Sequence, residues 1–454
     1  MLTNEQNAVV YQPPQNTVVF AAPGSGKTTV LTEHIAHQVR SGRIAARHVL
    51  ALTFTHQSAK DMQSRMGTKQ LLGAEHLQAL RLGTFHAQAF RMLLKKRPNI
   101  PVLLSPVEQF QLMQRAGRSV GKGDTASTRR FLLAHSRAQS VWPLQLPEKE
   151  PLRRVLSRYQ QLKVRHHRWD FDDILHEFLL ELETNRTLVD WVDYLLIDEY
   201  QDTNPLQWVV VHAIAHAAHC PVFVVGDDDQ SIYGFRGASP KGLLTFATDY
   251  PEVSTRVLST NFRSTTRIVT SAVTLIEHNK ERHSKVIKIN DERPGVCRAY
   301  MWTSEEEEAV AVHQFIQATW TEDPKLKVAV LSRTRRQLAY CWTLFSNDSQ
   351  RPQFRTFHDA KGKEWDVVHI IGAVLDNPYL AAENGTDTVP ASEEERRLFY
   401  VAMTRAKSEL MIHVPAKMNH SQQKPTPYLH EAGIALTHSV MKHRRLRKRN
   451  SNRT

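Results

Sequence analysis

The segment Thr17–Arg40 constrains this chain most. An apolar run, Thr17 to Ala22, meets the loop Pro23 to Lys27, and helical spacing follows from Thr28 to Arg40. The small residues Ala22, Pro23, Gly24, Ser25 and Gly26 let backbone N–H groups approach an anion closely, and a helix N-terminus adds positive potential there. In such a phosphate loop Lys27 reaches the β- and γ-phosphates of a nucleotide, and the Thr28 hydroxyl ligates Mg²⁺, with Thr29 beside it. The strict GxxxxGKT pattern is not met, because Ala21 stands where its first glycine would be. Strand, turn and helix in this order supply the missing context.

A phosphate loop needs a second strand that ends in acids. Leu195-Leu196-Ile197-Asp198-Glu199 has that form. Asp198 is the candidate ligand of Mg²⁺, and Glu199 the candidate for polarising an attacking water. A third strand, Val222 to Val225, runs into Gly226, three carboxylates (Asp227, Asp228, Asp229) and Gln230. Acids and an amide at a strand end suit a phosphate–metal site. Tyr233, Phe235 and Arg236 follow at once, and aromatics beside an arginine suit stacking on unpaired bases.

Further strands at His48–Phe54 and Tyr194–Ile197, with a helix at Ser58–Met66, continue a βαβ pattern of α/β class with a parallel sheet. A second series is expected at Arg256–Leu258, Val328–Leu331, Val367–Ile371 and Leu410–Val414, with a loop at Glu383–Glu393. Between the halves of the first series, Phe90 to Asp170 reads as helical and proline-punctuated. Of the formal net charge of +13, this block carries 17 Lys/Arg against 5 Asp/Glu, and the tail Lys442–Thr454 carries 7 basic residues and no acid. Localised basicity is the footprint of a polyanion partner, with a solvated helical surface as the alternative. The tail reads as disordered, serving DNA affinity or solubility.

Other classes find no support. The longest apolar stretch, Val209 to Val225, is broken by three histidines and Pro221, so it reads as a helix and a strand rather than a membrane span. The start lacks the basic and apolar regions of a signal peptide. Cys220, Cys297 and Cys341 are too dispersed for a metal site or a disulfide framework, which fits a reducing cytoplasm. The 23 histidines include no HExxH pair.

Besides the phosphate loop, eight segments in order resemble the motifs of superfamily 1A DNA helicases, the UvrD/Rep/PcrA group. They are Leu2–Gln6, Ala51–Met66 (ALTFTHQSAKDMQSRM), Gly83–Phe90 (GTFHAQAF), Ile197–Asn204 (IDEYQDTN), Val222–Ala238 (VFVVGDDDQSIYGFRGA), Leu258–Thr265 (LSTNFRST), Thr356–Val368 (TFHDAKGKEWDVV) and Glu393–Lys407 (EEERRLFYVAMTRAK). The resemblance implies two RecA-like lobes, with residues 1–89 and 171–255 in the first, 256–441 in the second, 90–170 as the helical 1B insertion and 442–454 as the tail. It implies ATP and Mg²⁺ as cofactors, and single-stranded DNA and single/double-strand junctions as partners. It also implies roles by residue. Gln6 reads adenine, Phe262 stacks on it in place of the usual tyrosine, and Glu364 contacts the ribose. Gln230, Arg263 and Arg405 attend the γ-phosphate, while Phe54, His86, Tyr233, Phe235 and His358 face DNA. Phe235 is smaller than the tryptophan usual there, and Lys363 replaces a leucine. Only about twenty residues, Arg336 to Arg355, occupy the place of the large 2B subdomain. That makes movement along single strands, 3′ to 5′ by resemblance, a firmer expectation than processive unwinding. It leaves open both a repair or replication-restart helicase and a DNA-stimulated ATPase subunit that displaces proteins or signals to a partner such as a nuclease in repair or phage defence.

Overall fold

Strands form where the apolar runs predict them, and parallel pairing follows because helices return the chain between them. The structure, a computed structural model, describes residues 2–148, 150–380 and 392–438. Of the expected loop Glu383–Glu393, residues 383–391 lie outside these residues, as does the basic tail at 442–454, while Ser392 caps and Glu393 begins a helix, Glu393–Met403. The chain divides into two compact units. One holds the residues up to Thr260 together with Glu281–Lys288, and the other holds Asn261–Lys280 and the chain from Ile289 onward.

In the first unit the strands are β1 (Thr17–Ala21), β2 (Val49–Thr53), β3 (Arg81–Thr84), the short β4 (Val102–Leu103) and β5 (Arg168–Trp169), β6 (Tyr194–Ile197), β7 (Val222–Gly226) and β8 (Ser254–Leu258). Six of them make one sheet in the order β3-β2-β6-β7-β1-β8, parallel throughout. Side chains alternate between its faces. Val18, Phe20, Leu50, Leu52, Ile197 and Val224 join one apolar core. Val19, Ala21, Val49, Ala51, Leu196 and Val225 join the other. Helices cover both faces, which is why the strands are apolar at nearly every position. Because β6, β7 and β1 are parallel neighbours, the acids after β6 and β7 emerge at the same sheet edge as the loop after β1, where ligands of open α/β sheets bind.

The basic block forms three helices, Pro106–Arg118, Thr125–Gln139 and Leu152–Arg165, around its own core of Met113, Ala116, Phe131, Val155, Leu156, Tyr159 and Leu162. Its inner end is ionic. The fully buried Lys163 ammonium lies 2.7 Å from Asp170 and from Asp173, and His135 and the Tyr159 hydroxyl also bond Asp170, at 2.9 and 3.0 Å.

The second unit begins within β9 (Thr260–Thr265). It continues through β10 (Lys288–Asp291), β11 (Val296–Trp302), β12 (Val328–Ser332), β13 (Gln353–Thr356), β14 (Trp365–Ile370), β15 (Ala406–Pro415), the small hairpin of β16 (Lys417–Met418) and β17 (Ser421–Gln422), and β18 (Leu436–His438). Its sheet runs β13-β12-β14-β15-β11-β18, again parallel. The slot at 336–355 holds one helical turn, the helix Ala339–Leu344 and a connection into β13.

One boundary differs from expectation. Arg256–Leu258, assigned above to the second lobe, pairs in parallel with β1 through Val19↔Arg256 and Ala21↔Leu258. The first sheet therefore keeps this strand, and the change of unit comes after Thr260. A short half-buried strand has the same alternation in either sheet, so its sequence pattern does not say which edge it completes.

Candidate functional site

The phosphate loop is built for an anion. Gly24 and Gly26 take positive φ (68° and 84°), a region that other residues enter only with strain. Gly26 starts the helix Lys27–Arg40, and no side chain caps it, so its first N–H groups remain for a ligand. The buried Ser25 hydroxyl has no protein partner. Ala22 N–H is tied to Leu258 O at 2.8 Å, and Thr29 Oγ1 accepts from Arg65 Nη1. Gln6 closes the loop from the side. Its Nε2 donates to Ser25 O at 3.0 Å, and its Oε1 caps Thr3 N–H at 3.0 Å.

Beyond β6, Asp198 is buried. That burial, reinforced by the neighbouring Glu199, pushes its carboxyl up to about 7. A hard divalent cation is the natural complement of such a group, so the residues fit the Mg²⁺ that a phosphate loop uses. Glu199 adopts a left-handed backbone (φ 54°) and accepts from Gln201 Nε2 at 2.5 Å. The Gln201 Oε1 in turn accepts from Asp227 N–H at 3.0 Å, so one amide links the ends of β6 and β7.

Asp227 joins several of these groups. Its Oδ2 accepts from Gln230 Nε2 at 2.6 Å and lies 4.0 Å from Lys27 Nζ. The reading that the acids at this strand end suit a phosphate–metal site is narrowed here for Asp227, Asp228 and Asp229. All three are fully buried, and their charge is met by Lys285 Nζ and by Arg282 on Asp229. An ammonium already inserted among the oxygens takes the place a cation would need.

Farther along, Tyr233 stacks on Phe54 with centroids 5.0 Å apart. Phe235 lies 6.0 Å from Tyr233, and the Arg236 guanidinium sits over both rings. Phe235 is 38% exposed. His86 stacks on the exposed Phe171 at 3.9 Å, and burial lowers its pKa to about 3, so it is a neutral ring near pH 7.

Within the second unit, Arg263 donates to Glu364 at 2.7 Å and to Thr404 O at 3.2 Å. Lys407 pairs with Glu364 at 3.1 Å. Burial opposes ionisation of Glu364, but Arg263 and Lys407 hold its carboxyl below the ordinary range. Arg405 is almost wholly buried, with Nε on Val401 O at 2.8 Å, Nη1 on Lys363 O at 3.3 Å and Nη2 on Thr404 Oγ1 at 3.1 Å. Phe262 is 40% exposed beside them. His358, half-buried, lies in the turn after β13. Arg263, Glu364, Thr404, Arg405 and Lys407 thus form one polar cluster, drawn from three of the sequence motifs.

The comparisons with known proteins agree with this geometry. Residues 2–251 match the UvrD/REP helicase N-terminal domain, and residues 344–417 match the UvrD-like helicase C-terminal domain. The chain belongs to the UvrD/REP helicase family. Its relatives include the ATP-dependent DNA helicase PcrA of Staphylococcus epidermidis, 30% identical over 359 residues, which is 74% of this chain and 48% of that protein. PcrA of Leuconostoc citreum is 30% identical over 337 residues, 70% of this chain and 44% of the relative. PcrA of Staphylococcus aureus is 28% identical over 359 residues, again 74% and 48%. The chain therefore spans about half the length of these curated relatives. Among the described residues, no helix is long and apolar enough to cross a membrane.

Several contributors escaped the sequence reading. Gln201 sits inside a recognised motif, and its amide next to two acids was the available signal. Lys285, Arg282 and His283 had none, because their partners lie more than fifty residues away.

Proposed function

We propose that this UvrD/REP family member is an ATP-driven motor on DNA. It hydrolyses ATP and uses the energy to move along single-stranded DNA, 3′ to 5′, separating strands at junctions. The observation that carries this reading is the continuity of one short segment. Asp227 stands against Lys27 of the phosphate loop, Gln230 is hydrogen-bonded to Asp227, and Tyr233 is stacked on Phe54. A change felt at a nucleotide phosphate is passed along three residues to an aromatic platform suited to bases.

In this reading Lys27 leaves Asp227 for the β- and γ-phosphates. Gln6 reads adenine, and Phe262 and Glu364 serve base and ribose. Mg²⁺ held by Thr28 and Asp198 would neutralise phosphate charge. Glu199, oriented by Gln201, polarises the attacking water. Gln230 senses the γ-phosphate, and Arg263 and Arg405 stabilise charge in the transition state. Phe54, Tyr233, Phe235, His86 and His358 contact DNA, and the basic helices of residues 90–170 supply phosphate contacts as the 1B element.

A second reading is a DNA-stimulated ATPase subunit that displaces proteins or signals to a partner such as a nuclease, and unwinds little alone. The slot at 336–355 favours it, because a six-residue helix stands there where the family's 2B subdomain would be inserted. ATPase and strand-displacement assays on 3′-tailed, 5′-tailed and blunt duplexes separate the two. Unwinding of the 3′-tailed duplex alone supports the first, and DNA-stimulated turnover without unwinding supports the second. Lys27→Ala should abolish turnover in either case while sparing part of the DNA binding. Retained turnover would refute the site.

A further inference from the structure

Lys285 Nζ is 2.8 Å from Asp227 Oδ1, 2.6 Å from Asp228 Oδ1 and 3.1 Å from Asp229 Oδ2, and all four side chains are completely buried. The short segment Glu281–Lys288 carries this lysine into the first unit, although the chain on both sides of it belongs to the second. Three more contacts seat the segment. Arg282 grips Asp229 with Nε and Nη2, both at 2.9 Å. His283 N–H donates to Asp228 at 2.6 Å, and the His283 ring stacks on Phe20 of β1 at 3.8 Å.

Asp227 therefore stands between two ammonium groups. One, Lys285, is completely buried. The other, Lys27, is 4.0 Å away and 11% exposed, and it has to reach a phosphate. An unpaired carboxylate in a low-dielectric site holds a nearby cation strongly, whereas a carboxylate already satisfied by a second cation holds it weakly.

We propose that Lys285 is a positioning residue for nucleotide binding: by satisfying Asp227, it leaves Lys27 free to transfer to the phosphates of an incoming nucleoside triphosphate. The proposal rests on the assignment of Lys27 to ATP given above. It assigns a task in the nucleotide site to a residue far from the phosphate loop in sequence. It also gives the three consecutive acids at the edge of a site that must accept a polyanion two buried counter-charges, Lys285 and Arg282.

Asp228 is the natural control. It shares the same ammonium, but its other hydrogen-bond partner is the His283 N–H, not Lys27 or Gln230. Two double variants each remove one buried charge of either sign: Asp227→Asn with Lys285→Met, and Asp228→Asn with Lys285→Met. In the first, the neutral amide at position 227 no longer restrains Lys27, and its oxygen can still accept from Gln230. In the second, Asp227 is left with Lys27 as its nearest cation. Equilibrium binding of N-methylanthraniloyl-ATP with Mg²⁺, without DNA, reads the difference. The first variant should bind within threefold of the parent, and the second about tenfold more weakly, at equal melting temperatures. Equal affinities of the two variants, or the reverse order, overturn the proposal, because a purely structural lysine would make them alike. A parent that binds no nucleotide refutes the ATP assignment itself, and the proposal with it. If a methionine pair does not fold, the same comparison is made with Lys285→Gln, whose amide keeps hydrogen bonds to the remaining acids.

Discussion

Replacing Lys163 with methionine tests the ionic joint beneath the basic helices. The side-chain volume is nearly kept, so the perturbation is the loss of one buried ammonium. Asp170 would retain His135 and Tyr159 and the Asp173 N–H. Asp173 would keep only the Asp170 N–H at 2.8 Å. Burial, with the charge of Asp170 added, already lifts the Asp173 carboxyl to about 6. Without the lysine it should enter the folded state protonated. Holding a proton at pH 7.5 on a group whose ordinary value is 3.8 costs about 5 kcal/mol, at about 1.4 kcal/mol per pH unit. Removing one partner of a buried pair costs roughly 3–5 kcal/mol in other proteins, which is consistent. The sign follows from linkage. In the variant the folded state binds a proton that the unfolded state does not, so its stability rises as pH falls. Because the parent's Asp173 also takes up its proton below about 6, the deficit should shrink by about 2 kcal/mol between pH 7.5 and pH 5.5, nearly all of it above pH 6. Urea denaturation of the first unit, followed by tryptophan fluorescence at both pH values, measures it. Adding Asp173→Asn should restore most of the loss. A deficit under about 1 kcal/mol at pH 7.5, or one that grows on acidification, would refute the reasoning.

Gly226→Ala should cost about 1–3 kcal/mol and slow turnover. Its Cβ would stand 2.5 Å from Gln201 Oε1 and 2.9 Å from Leu243, forcing apart the amide that joins Glu199 to Asp227; unchanged melting and activity would exclude this. The buried pair His369–His413, 3.0 Å apart with Trp302 donating to His413 at 3.1 Å, should make the second unit acid-sensitive. Burial lowers His369 to about 3, so the neutral ring is tolerated above pH 6.5, and stability falls by up to about 1.4 kcal/mol per histidine per pH unit below that value. A flat melting temperature between pH 6.5 and 4.5 would contradict it. Tyr233→Ala should weaken binding of an oligo-dT strand by about 1–3 kcal/mol while leaving nucleotide affinity in place, as read by anisotropy and by N-methylanthraniloyl-ATP titration.

What could be read in the sequence alone is what short-range physics determines. The loop Pro23–Lys27 has its form because glycines at 24 and 26 accept positive φ and a helix must start after them. Asp198 and Glu199 follow β6 because the apolar run stops at Ile197. Tyr233 and Phe235 lie near the phosphate side because only a few residues separate them from Gln230. Each of these is a statement about neighbours along the chain. The sheet in which Ser254–Leu258 pairs is of another kind, as is the answer to whether Asp227–Asp229 face a metal or a lysine. Three adjacent carboxylates have the same pattern in both cases. Only the return of residues 281–288 to the first unit decides it, by placing Lys285 among them across 56 to 58 residues of chain. A buried charge is tolerated only with its counter-charge, and that counter-charge comes from the fold.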